Sequence, residues 1–161
     1  MNFFYLRNSL ILFFSFAISF AQNENFLVGS TLIHRELKSN YANLFLKDFK
    51  YLTAMNAAKQ SNINPTKGSW KWNQIDNFAK FSKDNNLLFR LHSPIGPQCS
   101  KWIKDDARTA DELQASLDEF LFRLLDRYKD FDNIKWISAH VPCTGLKRGI
   151  YHIILIHNFP N

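Results

Sequence analysis

Short runs of strand-forming residues alternate with segments of helical period along most of this chain. That alternation limits the fold more than any other feature of the sequence. Phe26–Ile33 is apolar and rich in strand formers. Asn40–Phe49 follows, with Tyr41, Leu44, Phe45 and Phe49 on one helical face. Phe49–Ala57 reads as a second extended segment, closed by a turn at Asn64-Pro65-Thr66-Lys67-Gly68. A helix is expected from Asn73, with Ile75, Phe78, Ala79 and Ser82 sharing a face and Asp84-Asn85-Asn86 ending it. Leu87–His92 is a compact buried-strand candidate, and Ser93–Lys104 reads as an irregular loop. Thr109–Tyr128 carries the clearest helical signal. Thr109 and Glu112 form a capping box, and Leu113, Leu117, Phe120, Leu121, Leu124, Leu125 and Tyr128 keep the 3.6 period. Ile134–Ile137 is a further short strand. Strands that alternate with helices predict a parallel α/β arrangement.

The N-terminus stands outside this pattern. In residues 1–21 a single cation, Arg7, precedes an apolar run from Leu10 to Phe20, and Ser19-Phe20-Ala21 leads into Gln22. Small residues at those positions are the mark of a cleaved secretory signal. The run is about half of the ~20 residues that span a bilayer, so no stable membrane insertion is expected after cleavage. The expected location is secreted, periplasmic or extracellular. A formal charge of +6 without Lys/Arg blocks argues against a nucleic-acid partner. Cys99 and Cys143 could pair in an oxidising compartment, but two cysteines make no disulfide framework, and neither has metal-binding spacing. No nucleotide-binding glycine motif, P-loop or G-x-S-x-G element is present. No cofactor and no metal are expected.

In α/β barrels, sites form just past the C-terminal ends of the strands. Here those places hold Asn56 and Lys59 after the second strand. Arg90, His92, Gln98 and Trp102 stand at and after the third. Amides and imidazole both donate and accept, and an indole offers an apolar platform, so this set suits a ligand rich in hydroxyl groups. Structural roles compete with each assignment. Asn56 could be a turn residue, Lys59 a solvated charge, His92 a structural histidine and His34 part of a surface loop. Trp70 and Trp72 read as packing residues.

Taken together, Phe49–Trp102 resembles glycoside hydrolase family 10, the endo-β-1,4-xylanases. That family carries a stretch like F-x-x-L-T-x-E-N-x-x-K, then P-x-x-G-x-[WFY], then R-G-H-T-L-V-W-H-x-Q-x-P-x-W. This chain reads Phe49-Lys50-Tyr51-Leu52-Thr53-Ala54-Met55-Asn56-Ala57-Ala58-Lys59, then Pro65-Thr66-Lys67-Gly68-Ser69-Trp70 and Asp76-Asn77-Phe78-Ala79. Arg90-Leu91-His92, with Gln98 and Trp102, follows. Phe26–Thr31 also looks like the family's first strand. The resemblance implies a (β/α)8 TIM barrel with a xylan or related β-glycan cleft. It implies that Asn56 and Lys59 bind the sugar beyond the cleavage site on the non-reducing side, and that His92 and Gln98 hold the sugar at that site. Trp102 would support the loop.

The departures from the family are as informative as the matches. Met55 stands where the family has a sugar-binding Glu, and Ser93-Pro94-Ile95-Gly96-Pro97 rewrites the middle of the third motif. Where the family has W-D-V-V-N-E, with the general acid/base as its last residue, this chain reads Trp136-Ile137-Ser138-Ala139-His140-Val141, and Ile137–Asn161 contains no Asp or Glu. Retaining glycosidases need two carboxyl groups ~5–5.5 Å apart, so no catalytic residue is assigned. The expected organisation is a signal peptide over 1–21, a partial family 10 barrel over 22–136 and a non-matching tail over 137–161. A frameshift, a premature stop and a natural variant remain open for that tail. A complete barrel takes ~250 residues, so the expected architecture is the N-terminal part of a barrel, incomplete, with open strand edges. The resemblance implies a retaining endo-1,4-β-xylanase that this chain alone does not complete. The alternative is a non-catalytic or vestigial carbohydrate-binding protein.

Overall fold

The computed structural model describes residues 27–104 and 108–138, together with the backbone of 153–155. The expected signal segment, Asp105, Asp106 and Cys143 lie outside the described residues. Strand β1 (Gly29–Leu32) leads through a 3-10 turn at His34–Lys38 into helix α1 (Asn40–Asp48) and strand β2 (Tyr51–Ala54). A short helix α2 (Gln60–Ile63), the helix α3 (Asn73–Asp84) and strand β3 (Leu88–His92) come next. Helix α4 (Lys101–Lys104), the long helix α5 (Ala110–Tyr128), strand β4 (Ile134–Ser138) and a short strand β5 (Ile153–Leu155) complete the order.

The sheet runs β1-β2-β3-β4-β5. Its first four strands are parallel neighbours in chain order, and β5 joins β4 antiparallel. Parallel strands in sequential order with helices between them are the architecture of a β/α barrel, present here as a partial barrel. The ends of the helices follow from local chemistry. Thr109 Oγ1 accepts from Glu112 N at 3.3 Å and Glu112 Oε2 accepts from Thr109 N at 2.8 Å, closing the capping box of α5. Those bonds from Thr109 hold the Glu112 carboxyl below its ordinary value.

Residues alternate between the two faces of a strand, and here one face is apolar. Leu52, Ala54, Phe89 and Leu91 are fully buried beneath the helices, with Phe78, Ile75 and Ala79 from α3 and Phe120 and Leu124 from α5. The Phe78 and Phe89 rings stack with centroids 6.3 Å apart. Helix α1 differs from expectation. It buries Ala42 and Phe45, while Tyr41 and Leu44 are 63% and 59% exposed. It is apolar on more than one side, so the period alone did not choose the buried face. Two further differences are helix α4, formed inside the expected loop, and β5, formed inside the tail.

Outside the sheet, Trp70 and Trp72 stack on each other at 5.6 Å, with Arg123 over the first ring and Arg127 over the second. Arg127 also grips Asp76 through Nε (2.8 Å) and Nη2 (2.6 Å), and Tyr128 donates its hydroxyl to Asp76 at 2.8 Å. Burial opposes the Asp76 charge, but the bonds from Arg127 and Tyr128 outweigh it and hold the carboxyl below its ordinary value. Burial, reinforced by Asp76, pushes the Tyr128 phenol up. This assembly fastens α3 to α5, in keeping with the packing role expected of the two tryptophans.

Candidate functional site at the strand ends

The predicted ligands all fall at the C-terminal ends of the parallel strands. Asn56 and Lys59 lie in the turn after β2, His92 is the last residue of β3, and Gln98 lies in the loop after it. Lys59 Nζ donates to Gln98 Oε1, so the β2 and β3 loops meet through two predicted residues. Asn56 is exposed, and its carbonyl accepts from Lys59 N at 3.0 Å and from Asn62 Nδ2 at 2.7 Å. It is therefore both a turn residue and an available amide. His92 pairs instead with the neighbouring strand, its Nδ1 lying 3.2 Å from Ser138 Oγ.

A buried amide, missed in the sequence, fixes the geometry of these loops. Gln60 is 1% exposed. Its Oε1 accepts from Ser100 N (2.8 Å) and Ser100 Oγ (2.9 Å), and its Nε2 donates to Asn64 O at 2.8 Å. Its backbone N donates to Pro94 O at 2.7 Å. Trp102 Nε1 donates to the same Asn64 carbonyl at 2.9 Å, which gives that indole a role in supporting the loop. Gln60 directly follows Lys59, so this clamp also sets the height of Lys59 against Gln98. Flanked by Lys59 and Ser61, it carries no local sequence signal, and its partner lies forty positions away.

Immediately past His92 the backbone is strained. Ser93 has φ 49°, a left-handed conformation that a serine seldom adopts, and Pro94 follows it. The bond from Ser93 N to Ser138 O, at 2.7 Å, holds it there. The loop chemistry is polar and basic. No Asp or Glu occurs in residues 49–75, 85–104 or 133–161, which include every strand end that carries a predicted ligand. Among the described residues no three His, Cys, Asp or Glu side chains group as metal ligands. None of the helices among them is long and apolar enough to cross a membrane.

Parallel strands in sequential order, with helices between them and polar side chains at the strand ends, define a partial β/α barrel. The chain belongs to glycosyl hydrolase family 10, whose sequence profile matches residues 17–138. The matched part is a divergent N-terminal portion of that family's domain. It is 24% identical over 136 residues to endo-1,4-beta-xylanase A of Halalkalibacterium halodurans, covering 74% of this chain and 34% of that protein. It is 32% identical over 88 residues to endo-1,4-beta-xylanase D of Talaromyces funiculosus, covering 54% and 22%. The chain thus spans about a third or less of the curated relatives it matches. Among solved structures, xylanase 10B of Thermotoga petrophila in complex with xylobiose superposes with a TM-score of 0.64 at 21% identity, covering 71% of this chain and 36% of that one. Xylanase 10C of Cellvibrio japonicus, in complex with xylopentaose, gives 0.64 at 23% identity, covering 71% and 25%.

Proposed function

We propose that the strand ends of this chain form the xylan-binding portion of endo-1,4-β-xylanase machinery, exported behind the Met1–Ala21 signal, and that these residues bind sugar without cleaving it. The observation that carries this reading is the Lys59–Gln98 pair joining the β2 and β3 loops, with no Asp or Glu in residues 49–75 or 85–104. Amide and ammonium groups suit hydroxyl-rich ligands. By the family resemblance, Asn56 and Lys59 bind the sugar on the non-reducing side of the cleavage point, and His92 and Gln98 bind the sugar at it. Xylan or a related β-glycan is the ligand, and no cofactor takes part. A retaining double displacement needs a nucleophile and an acid/base, both carboxyl groups. Described acids such as Asp76 and Glu112 are engaged elsewhere, the first with Arg127 and the second with Thr109. The alternative, a vestigial carbohydrate-binding protein of the same fold, uses the same four residues.

Calorimetric titration with xylo-oligosaccharides, paired with a reducing-sugar assay on xylan, tests this. The expected outcome is saturable binding that is lost in His92→Ala, with no sugar release above a blank. Absence of binding overturns the sugar reading. Turnover well above the blank overturns the non-catalytic part of it.

A further inference from the structure

Strands β3 and β4 do not pair in simple register. Phe89 lies opposite Ile134, but Arg90 lies opposite Trp136, so β4 carries one extra residue, the exposed Lys135. Bulges of this kind re-aim side chains near sites. Here the slip places Ser138 opposite His92. Had pairing continued from Phe89 and Ile134 without the extra residue, Lys135 would face Arg90 and Ile137 would face His92. Two like charges would sit side by side, and no hydroxyl would reach the imidazole.

The Ser138 hydroxyl meets two groups. Arg90 Nε donates to Oγ at 3.1 Å, and His92 Nδ1 lies 3.2 Å from the same oxygen. A guanidinium N–H can only donate, so Oγ accepts from it. Ser138 is only 4% exposed, and a buried hydroxyl proton without an acceptor is unfavourable. A deprotonated Nδ1 on His92 supplies that acceptor.

We propose that Ser138 is a positioning residue that holds His92 in the neutral tautomer protonated at Nε2, through the relay Arg90 Nε–H to Ser138 Oγ–H to His92 Nδ1. His92 then meets a ligand as a hydrogen-bond donor, which selects an oxygen lone pair of a hydroxyl or ring ether. The sugar side of this inference rests on the preceding functional reading; the tautomer does not.

Long-range proton–nitrogen NMR on the 15N-labelled full chain reads the tautomer directly. The expected pattern for His92 is a pyridine-type Nδ1 and a pyrrole-type Nε2. Ser138→Ala is expected to give an averaged pair of shifts and to weaken xylotriose binding about tenfold, roughly the worth of one hydrogen bond. Ser138→Thr is expected to restore both. Arg90→Met leaves the serine free to accept from the ring, so it loses the tautomer bias even if Ser138→Ala fails to fold. A pyrrole-type Nδ1 in the native chain, or shifts unchanged in both substituted chains, overturns the assignment. A tautomer that responds as stated in a chain that binds no xylotriose upholds the Ser138 assignment and refutes the sugar reading alone.

Discussion

On the helix-covered face of the sheet, Leu52, Phe89 and Leu91 are fully buried; on the opposite face Tyr51, Thr53, Leu88, Arg90 and His92 alternate with them and stay half-exposed. The first face meets α3 and α5 through close-packed rings, and the Tyr51 and Trp136 rings are in contact edge to face, 4.9 Å apart. Sheets buried on both sides read as continuous apolar runs, whereas Leu88-Phe89-Arg90-Leu91-His92 alternates. The difference teaches that cohesion lies on one side of these strands, while polar chemistry gathers on the other side and at the strand ends.

Neighbouring residues of β3 put the largest expected effect on that division. Phe89→Ala removes a fully buried ring stacked on Phe78, and is expected to cost about 3–5 kcal/mol by denaturant unfolding. Leu88→Ala, one position away on the half-buried face, is expected to cost about 1 kcal/mol, in proportion to the apolar area already exposed. Equal losses would show that the two faces share the stabilising load and would break the comparison.

A smaller effect is expected where α3 meets α5. In Asp76→Asn the Tyr128 hydroxyl loses a charged acceptor, and about 1 kcal/mol should go with it. The exposed part of the Arg127 pair adds little. The folded-state carboxyl of Asp76 lies below its ordinary value. Its contribution is therefore complete above the unfolded pKa of about 3.9 and is lost as pH falls through the lower folded value. Native stability should fall across that acid window, and the Asp76→Asn chain should lack that part of the slope. A slope unchanged by the substitution would show that the ion pair contributes nothing to the outer face.

How far the sequence disclosed this molecule depended on the range of the interactions involved. Helix α5 was legible because its capping box and its apolar stripe are local. The four residues expected to share a face of α3, Ile75, Phe78, Ala79 and Ser82, are the ones it buries. Helix α1 was found, but its face was not, because Tyr41, Leu44, Phe45 and Leu46 surround a nine-residue helix and only its neighbours select the buried side. The four-residue helices α2 and α4 are too short to show a period. At the site, Asn56, Lys59, His92 and Gln98 could be named from their places after strands. Gln60, Ser100 and Ser138 could not, since each gains its meaning from a partner about forty or more positions away or from a one-residue slip in strand pairing.

The smallest effect on stability is expected at the rim, and there it should separate most cleanly from function. Lys59 is half-buried and reaches Gln98 from the end of a loop whose position Gln60 fixes independently. Lys59→Met keeps most of the side-chain stem and removes only the ammonium, so unfolding free energy should change by less than about 0.5 kcal/mol. Xylo-oligosaccharide affinity should nevertheless fall about tenfold, the equivalent of one lost hydrogen bond. Calorimetry and denaturant unfolding on the same preparation measure both. A stability loss comparable to that of Asp76→Asn would make Lys59 part of the scaffold. Unchanged affinity would remove it from the sugar-binding set and leave Asn56, His92 and Gln98 to carry that role.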